Sequence, residues 1–268
     1  MQDMYERAKA VQDKSLPAAN DAPAAAATKS RTRGGFKGAK GGNSGITSLA
    51  VMAFLAKGHT PGNGPYGEII NRGIDFVVNN QRANGLLVGD QKARGPMYSH
   101  GISTLMLSEI SGMVTPERQK KVDVALAKAL KLILAAQKIR KDKKHEGGWR
   151  YSQTARDADI SCTGWQIMAL RSAKNNGAPI PKEAIDNGIK YVLRCHRGGG
   201  GFAYQAGGGS PGLGRTGTAL LCLELCGKHG EKITTMAGDA ILRYVGYRGR
   251  GQRDPKAVSY THLTLPTN

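Results

Sequence analysis

The sequence predicts an all-α protein built from helical hairpins laid side by side. Three observations predict it. A helix that closes on a glycine recurs along the chain, a second helix with one apolar stripe follows it, and a glycine-rich turn with a bulky residue leads into the next copy. Self-similarity of this kind marks a repeat architecture, in which each unit buries its apolar flank only against its neighbours.

The first helices open near Thr47, His100, Thr163 and Thr216 and run to Gly58, Gly112, Gly177 and Gly227. A glycine there fits a helix C-terminus, where a left-handed conformation costs it little. The second helices carry Ile70, Ile74, Val77 and Val78, then Leu126, Leu130, Ile133 and Leu134, then Ile185, Ile189, Val192 and Leu193. Each set follows i, i+4, i+7, i+8, which is one face of an α-helix. Pro116 and Pro181 stand near helix starts, where a missing N–H costs little. A weaker fourth stripe is expected around Leu242 and Val245, ending near Gly246.

A polar residue follows each stripe: Gln81, Gln137 and His196. The turns behind them read Gly85-Leu86, Gly147-Gly148-Trp149 and Gly200-Gly201-Phe202. Leu86, Trp149 and Phe202 stand at one common distance before His100, Thr163 and Thr216. The glutamine amide is expected to satisfy free backbone groups at a helix end, and the bulky residue to pack beneath the turn. The basic insert Lys138 to Glu146 accounts for the longer second unit. Gly34-Gly35-Phe36 reads as the remnant of an earlier turn.

The ends differ from this body. Residues 1–44 are rich in Ala, Gly, Pro and basic residues and read as a flexible segment, with a short helix over Met4 to Val11. Residues 45–257 form the repeat domain. Residues 258–268 read like a translated transposase-type sequencing adapter and are set aside as a non-native tail. That reading implies a natural reading frame continuing beyond about Ala257, so the chain is expected to be C-terminally truncated.

Composition narrows the function classes. The net charge is +19, which invites anionic ligands, an acidic membrane surface or nucleic acid. No basic-aromatic motif supports nucleic acid as the partner. The apolar runs fall short of the ~20 residues of a bilayer span. The opening residues Asp3, Glu6, Arg7 and Lys9 leave no signal-peptide core, so a cytoplasmic or membrane-peripheral location is expected. The four cysteines, Cys162, Cys195, Cys222 and Cys226, form no CxxC pair and read as buried thiols rather than a disulfide framework.

Gln137 with Gly147-Gly148-Trp149 resembles the QW motif of squalene and oxidosqualene cyclases. The wider pattern is similar to bacterial members of the prenyltransferase and squalene-oxidase-repeat family over roughly residues 42–247. Gln81 with Leu86, and His196 with Phe202, are degenerate copies. The resemblance implies an (α/α) toroid with inner and outer helix rings. The helices from Thr47, His100, Thr163 and Thr216 would be inner, and this chain would supply an incomplete arc of about three and a half repeats with an exposed apolar edge.

The same resemblance implies candidate chemistry. Class II cyclases protonate an alkene or epoxide with the middle aspartate of DxDD. Here Asp157-Ala158-Asp159-Ile160 is the similar stretch, with Asp159 as acid, Asp157 beside it and Ile160 in place of the last aspartate. Both also read as turn or helix-start residues. Trp165, Phe54 and His100 are the candidate substrate contacts. Aromatic residues are only 6%, which counts against stabilising a series of carbocations. Prenyltransferases hold zinc in this barrel, and His100, Asp159 and Cys162 are the available ligand types, but their spacing differs from the family's. No cofactor is therefore assigned.

Two functions follow. One is a terpene cyclase- or prenyltransferase-like enzyme acting on an isoprenoid or other apolar chain. The other is a non-catalytic toroid that binds a lipid, peptide or protein partner.

Overall fold

The computed structural model describes residues 42–89 and 95–248, with side chains through residue 245. The flexible segment before residue 42, its Met4–Val11 helix, the Gly34-Gly35-Phe36 remnant and the tail from 258 lie outside the described residues. Within them the protein is all-α. Four hairpins follow one another: α1 (Ser44–Ala56) with α2 (Gly67–Asn79), α3 (Pro96–Glu109) with α4 (Pro116–Lys138), α5 (Ile160–Asn175) with α6 (Lys182–Arg194), and α7 (Leu213–Leu225) with α8 (Lys232–Arg248).

The first helix of each hairpin packs on the first helix of the next, so α1, α3, α5 and α7 form one layer. Small residues allow this. Ser48 Oγ donates to Ser103 Oγ at 3.0 Å. A Cβ on Gly101 would lie 2.5 Å from the Gln166 amide, and one on Gly164 would lie 2.4 Å from a Thr218 methyl. The second helices α2, α4, α6 and α8 back this layer, each against its own partner.

The first helices stop as the glycines predict. Gly58, Gly112, Gly177 and Gly227 all have positive φ, from 79° to 86°. In three copies the amide just beyond reaches back over the end: His59 to the Phe54 carbonyl, Ala178 to Ala173 and Lys228 to Leu223. These bonds satisfy carbonyls that the helix leaves open.

The apolar stripes of α2, α4 and α6 are buried at Ile70, Ile74 and Val77, at Leu126, Leu130 and Ile133, and at Ile185, Ile189 and Val192. The fourth stripe differs from expectation. Leu242 is 69% exposed and Val245 58%, while Thr234, Ala237 and Ala240 are buried. The α8 face that meets α7 thus carries small residues. At the other end of the row Ile46 is likewise 68% exposed.

The turns explain the glutamines. Gln81 Nε2 donates to the carbonyls of Gly85 and Ala125, at 2.9 and 2.8 Å. Gln137 Nε2 donates to Gly147 and Ala184, both at 2.8 Å. Each amide therefore ties its own turn to the next second helix, rather than capping a helix end as the sequence suggested. The glycine between them has φ of +91° or +80°, and a Cβ would run into the Lys128 or Asn187 carbonyl. The bulky residue of the first turn is Leu87, not Leu86. Gln81 bridges to Leu87 as His196 bridges to Phe202. Trp149 and Phe202 are fully buried beneath their turns, and Trp149 Nε1 donates to the Ile133 carbonyl at 2.8 Å.

Lys141 from the basic insert is buried. Its ammonium donates to the carbonyls of Ala136, Gln137 and Ile139, which closes the C-terminus of α4. Arg118 on α4 pairs with Asp75 on α2 through two bonds of 2.8 and 2.9 Å.

Candidate functional site at the turn end of α5

Asp159 caps α5. Its Oδ1 accepts from the Cys162 amide at 2.8 Å, and the carboxylate is fully buried. An aspartate is favoured here because its oxygen meets an otherwise open helix N–H. Asp157 precedes it in the turn. Arg150 lies between the two, with Nε 3.4 Å from Asp157 Oδ2 and Nη1 3.5 Å from Asp159 Oδ2.

Three tyrosines enclose this group. The Arg150 guanidinium lies over the Tyr151 ring at 4.3 Å and over the Tyr204 ring at 5.3 Å. The Tyr151 and Tyr204 hydroxyls are hydrogen-bonded to each other. Tyr98, from the first turn of α3, places its ring 5.7 Å from that of Tyr151. The Tyr204 carbonyl accepts from the Ile160 amide at 2.9 Å, so the following turn is fastened to the start of α5.

Burial dominates the electrostatics. It pushes the Asp159 carboxyl above its ordinary pKa, against the Cys162 amide and the Arg150 charge, which lower it. It also raises Tyr98 and Tyr204, and the Asp159 charge adds to both shifts. The Cys162 thiol is pushed well up by burial and donates to the Arg150 carbonyl at 2.9 Å. Burial thus favours the neutral thiol, which is engaged with a backbone carbonyl.

The candidates from sequence separate into groups. Asp157 and Asp159 come together on one arginine. His100 is fully buried in the second turn of α3, where Nδ1 accepts from the Leu87 amide and Nε2 meets the Ala129 carbonyl, both at 3.2 Å. With both nitrogens engaged and no exposed surface, it offers no contact to a substrate. Among the described residues no group of three or more His, Cys, Asp and Glu side chains is disposed to hold a metal, so His100, Asp159 and Cys162 do not assemble a zinc site. Phe54 packs with Tyr66 and His59, at ring distances of 5.1 and 6.1 Å, beside the loop after α1.

Trp165 and Met168 are the large apolar side chains of α5 that keep some exposure. Met168 has counterparts at the same place in every first helix: Met52, Leu105 and Leu221, each partly or well exposed. Leu49 stands where Trp165 stands, and it is 43% exposed. These side chains make one apolar row across the first-helix layer.

Sequence reasoning missed Tyr98, Arg150, Tyr151 and Tyr204. A signal for two of them was present: Tyr151 follows Trp149 by two residues and Tyr204 follows Phe202 by two, so the tyrosine is part of the repeat. No family model matches the chain, and no curated protein matches it.

Proposed function

We propose that this chain is part of a squalene-cyclase- and prenyltransferase-like repeat protein that binds an apolar or isoprenoid chain along its first-helix layer and does no chemistry at Asp159. The observation that carries this reading is the row Met52, Leu105, Met168 and Leu221, with Trp165 beside it. Four successive helices keep an apolar side chain at least partly in contact with solvent at one position, although Met52 and Leu105 also pack against the core. Methionines suit such a wall because a flexible thioether adapts to varied chain shapes.

The acid is the weaker argument for an enzyme. Its Oδ1 serves the helix cap and its Oδ2 faces Arg150. The tyrosine faces nearest to it hold that guanidinium, so they are not open to a developing carbocation. Asp157, Asp159 and Arg150 therefore act as a clamp that fixes two turns to the start of α5.

Incubation with squalene and with prenyl diphosphates, followed by product analysis, tests the reading. Binding without turnover is expected, with affinity unchanged in Asp159→Asn. A cyclised or prenyl-transferred product that is lost in Asp159→Asn would establish an enzyme instead.

A further inference from the structure

Every second helix leads through its glycine turn into the next first helix. All the turns therefore lie at one end of the two-layer row. That end carries an excess of cations over its surface acids, which among the described residues are Asp142, Glu146 and Asp157. The insert after α4 exposes Arg140, Lys143 and Lys144 against Asp142 and Glu146. The turn from 194 to 215 holds Arg194, Arg197 and Arg215 and contains no acidic residue.

The two turns form one surface. Arg194 donates to the backbone carbonyls of Lys144 and Glu146. A Cβ on Gly207 would lie 3.7 Å from the Lys144 side chain. Beside them Lys190 and Arg194 border an open depression of about 360 Å³ with Glu146, Gly147 and Asn187. Arg197 spends its donors on backbone carbonyls of its own turn, not on a carboxylate.

The opposite end is mixed. Glu117, Glu183 and Glu231 alternate there with Lys120, Lys121 and Lys232, and Lys182 and Lys228 are paired with Asp186 and Glu231. The cationic excess therefore belongs to the turn end.

We infer that the turn end docks on an anionic phospholipid surface through Arg140, Lys143, Lys144, Lys190 and Arg194. These basic residues are spread over the insert after α4 and the end of α6 rather than lined up along one helix, which suits a surface of headgroups better than the groove of a nucleic-acid polymer. Tyr151, 39% exposed at the same end, is a residue type that settles at the membrane–water boundary. Each basic side chain close to such a surface adds to binding, and salt weakens it. The inference stands on charge and does not depend on what the apolar row binds.

Co-sedimentation of the 268-residue chain with phosphatidylcholine vesicles, with and without about one-third phosphatidylserine, tests it. Two charge-matched variants are compared after thermal melts show both to be folded. One is Arg140→Glu/Lys143→Glu/Lys144→Glu. The other is Lys120→Glu/Lys121→Glu/Lys232→Glu. Both leave the basic residues before position 42 unchanged. Partitioning to the serine-containing vesicles is expected to fall about tenfold or more in the turn-end variant, and by about threefold or less in the other. Equal losses would assign binding to net charge alone and overturn the inference. So would failure of the unaltered chain to bind these vesicles, or duplex DNA binding that the turn-end variant alone abolishes.

Discussion

The Leu87 amide donates to His100 Nδ1 at 3.2 Å, in the place where the Trp149 amide meets Thr163 Oγ1 at 3.0 Å and the Phe202 amide meets Thr216 Oγ1 at 3.1 Å. One backbone donor beneath each turn is thus satisfied by the residue that opens the next helix. Histidine and threonine are interchangeable there because each presents an acceptor to that amide. The arrangement also fixes the histidine's tautomer, since Nδ1 must accept and Nε2 donates to the Ala129 carbonyl.

That placement predicts a pH dependence. Burial lowers the His100 pKa from 6.5 to about 4. The unfolded chain therefore takes up a proton below about 6.5 that the fold refuses, and stability falls as pH drops from there towards 4. The full effect is roughly 3 kcal/mol. In His100→Gln the amide oxygen can accept from Leu87 and the amide nitrogen can donate to Ala129, without titrating. Urea melts at pH 7 and pH 4.5 are expected to show a smaller loss in the variant than in the parent. Equal losses would remove His100 as the cause.

His196 stands where Gln81 and Gln137 stand, yet its buried Nε2 has no hydrogen-bond partner. Its ring lies edge-on to Phe202 at 5.3 Å. A glutamine there has the reach to rejoin its turn to the next second helix, as the other two do. His196→Gln is expected to stabilise by about 1 kcal/mol, and Gln137→Leu to destabilise by roughly 2 kcal/mol because the Gly147 and Ala184 carbonyls lose their donor. Thermal unfolding of the pair checks both signs together.

Much of this was legible in the sequence, because periodicity and glycine position are local signals. The stripes of α2, α4 and α6, except Leu193, which is 37% exposed at the rim of its stripe, and the four closing glycines came directly from spacing. The register of the first turn did not, since Leu86 and Leu87 are both apolar and only the bridge to Gln81 separates them. The clamp around Arg150 was illegible for another reason. Its members come from α3 and from two different turns, and no single-chain period joins Tyr98 to Tyr151. The exposure of Leu242 and Val245 likewise depends on which face of α8 meets a neighbour.

Trp149 tests the turn itself. Its ring is buried beside Gly188, where a Cβ would lie 3.3 Å away, and its Nε1 donates to the Ile133 carbonyl. Trp149→Ala is expected to cost roughly 3–5 kcal/mol. Trp149→Phe keeps most of the packing, as Phe202 shows in the next copy, and is expected to cost about 1–2 kcal/mol from the lost bond. Gly147→Ala is also expected to be severe, because a Cβ there would sit 2.2 Å from the Asn187 carbonyl oxygen in a left-handed backbone. Guanidinium melts that ranked Trp149→Phe with Trp149→Ala would contradict the packing argument.

The apolar row can be read optically. The chain has two tryptophans, Trp149 and Trp165. In Trp149→Phe the remaining emission reports Trp165, beside Met168. Addition of farnesol is expected to shift that emission to shorter wavelength, as an apolar chain replaces water around the indole. Met168→Glu puts a carboxylate into the row and is expected to weaken binding about tenfold or more, since burying an unpaired charge costs over 1.4 kcal/mol. Leu242→Glu, on the exposed face of α8, removes comparable apolar surface outside the row and is expected to leave the titration unchanged. Loss of binding in Leu242→Glu with retention in Met168→Glu would move the ligand from the first-helix layer to the edge of α8.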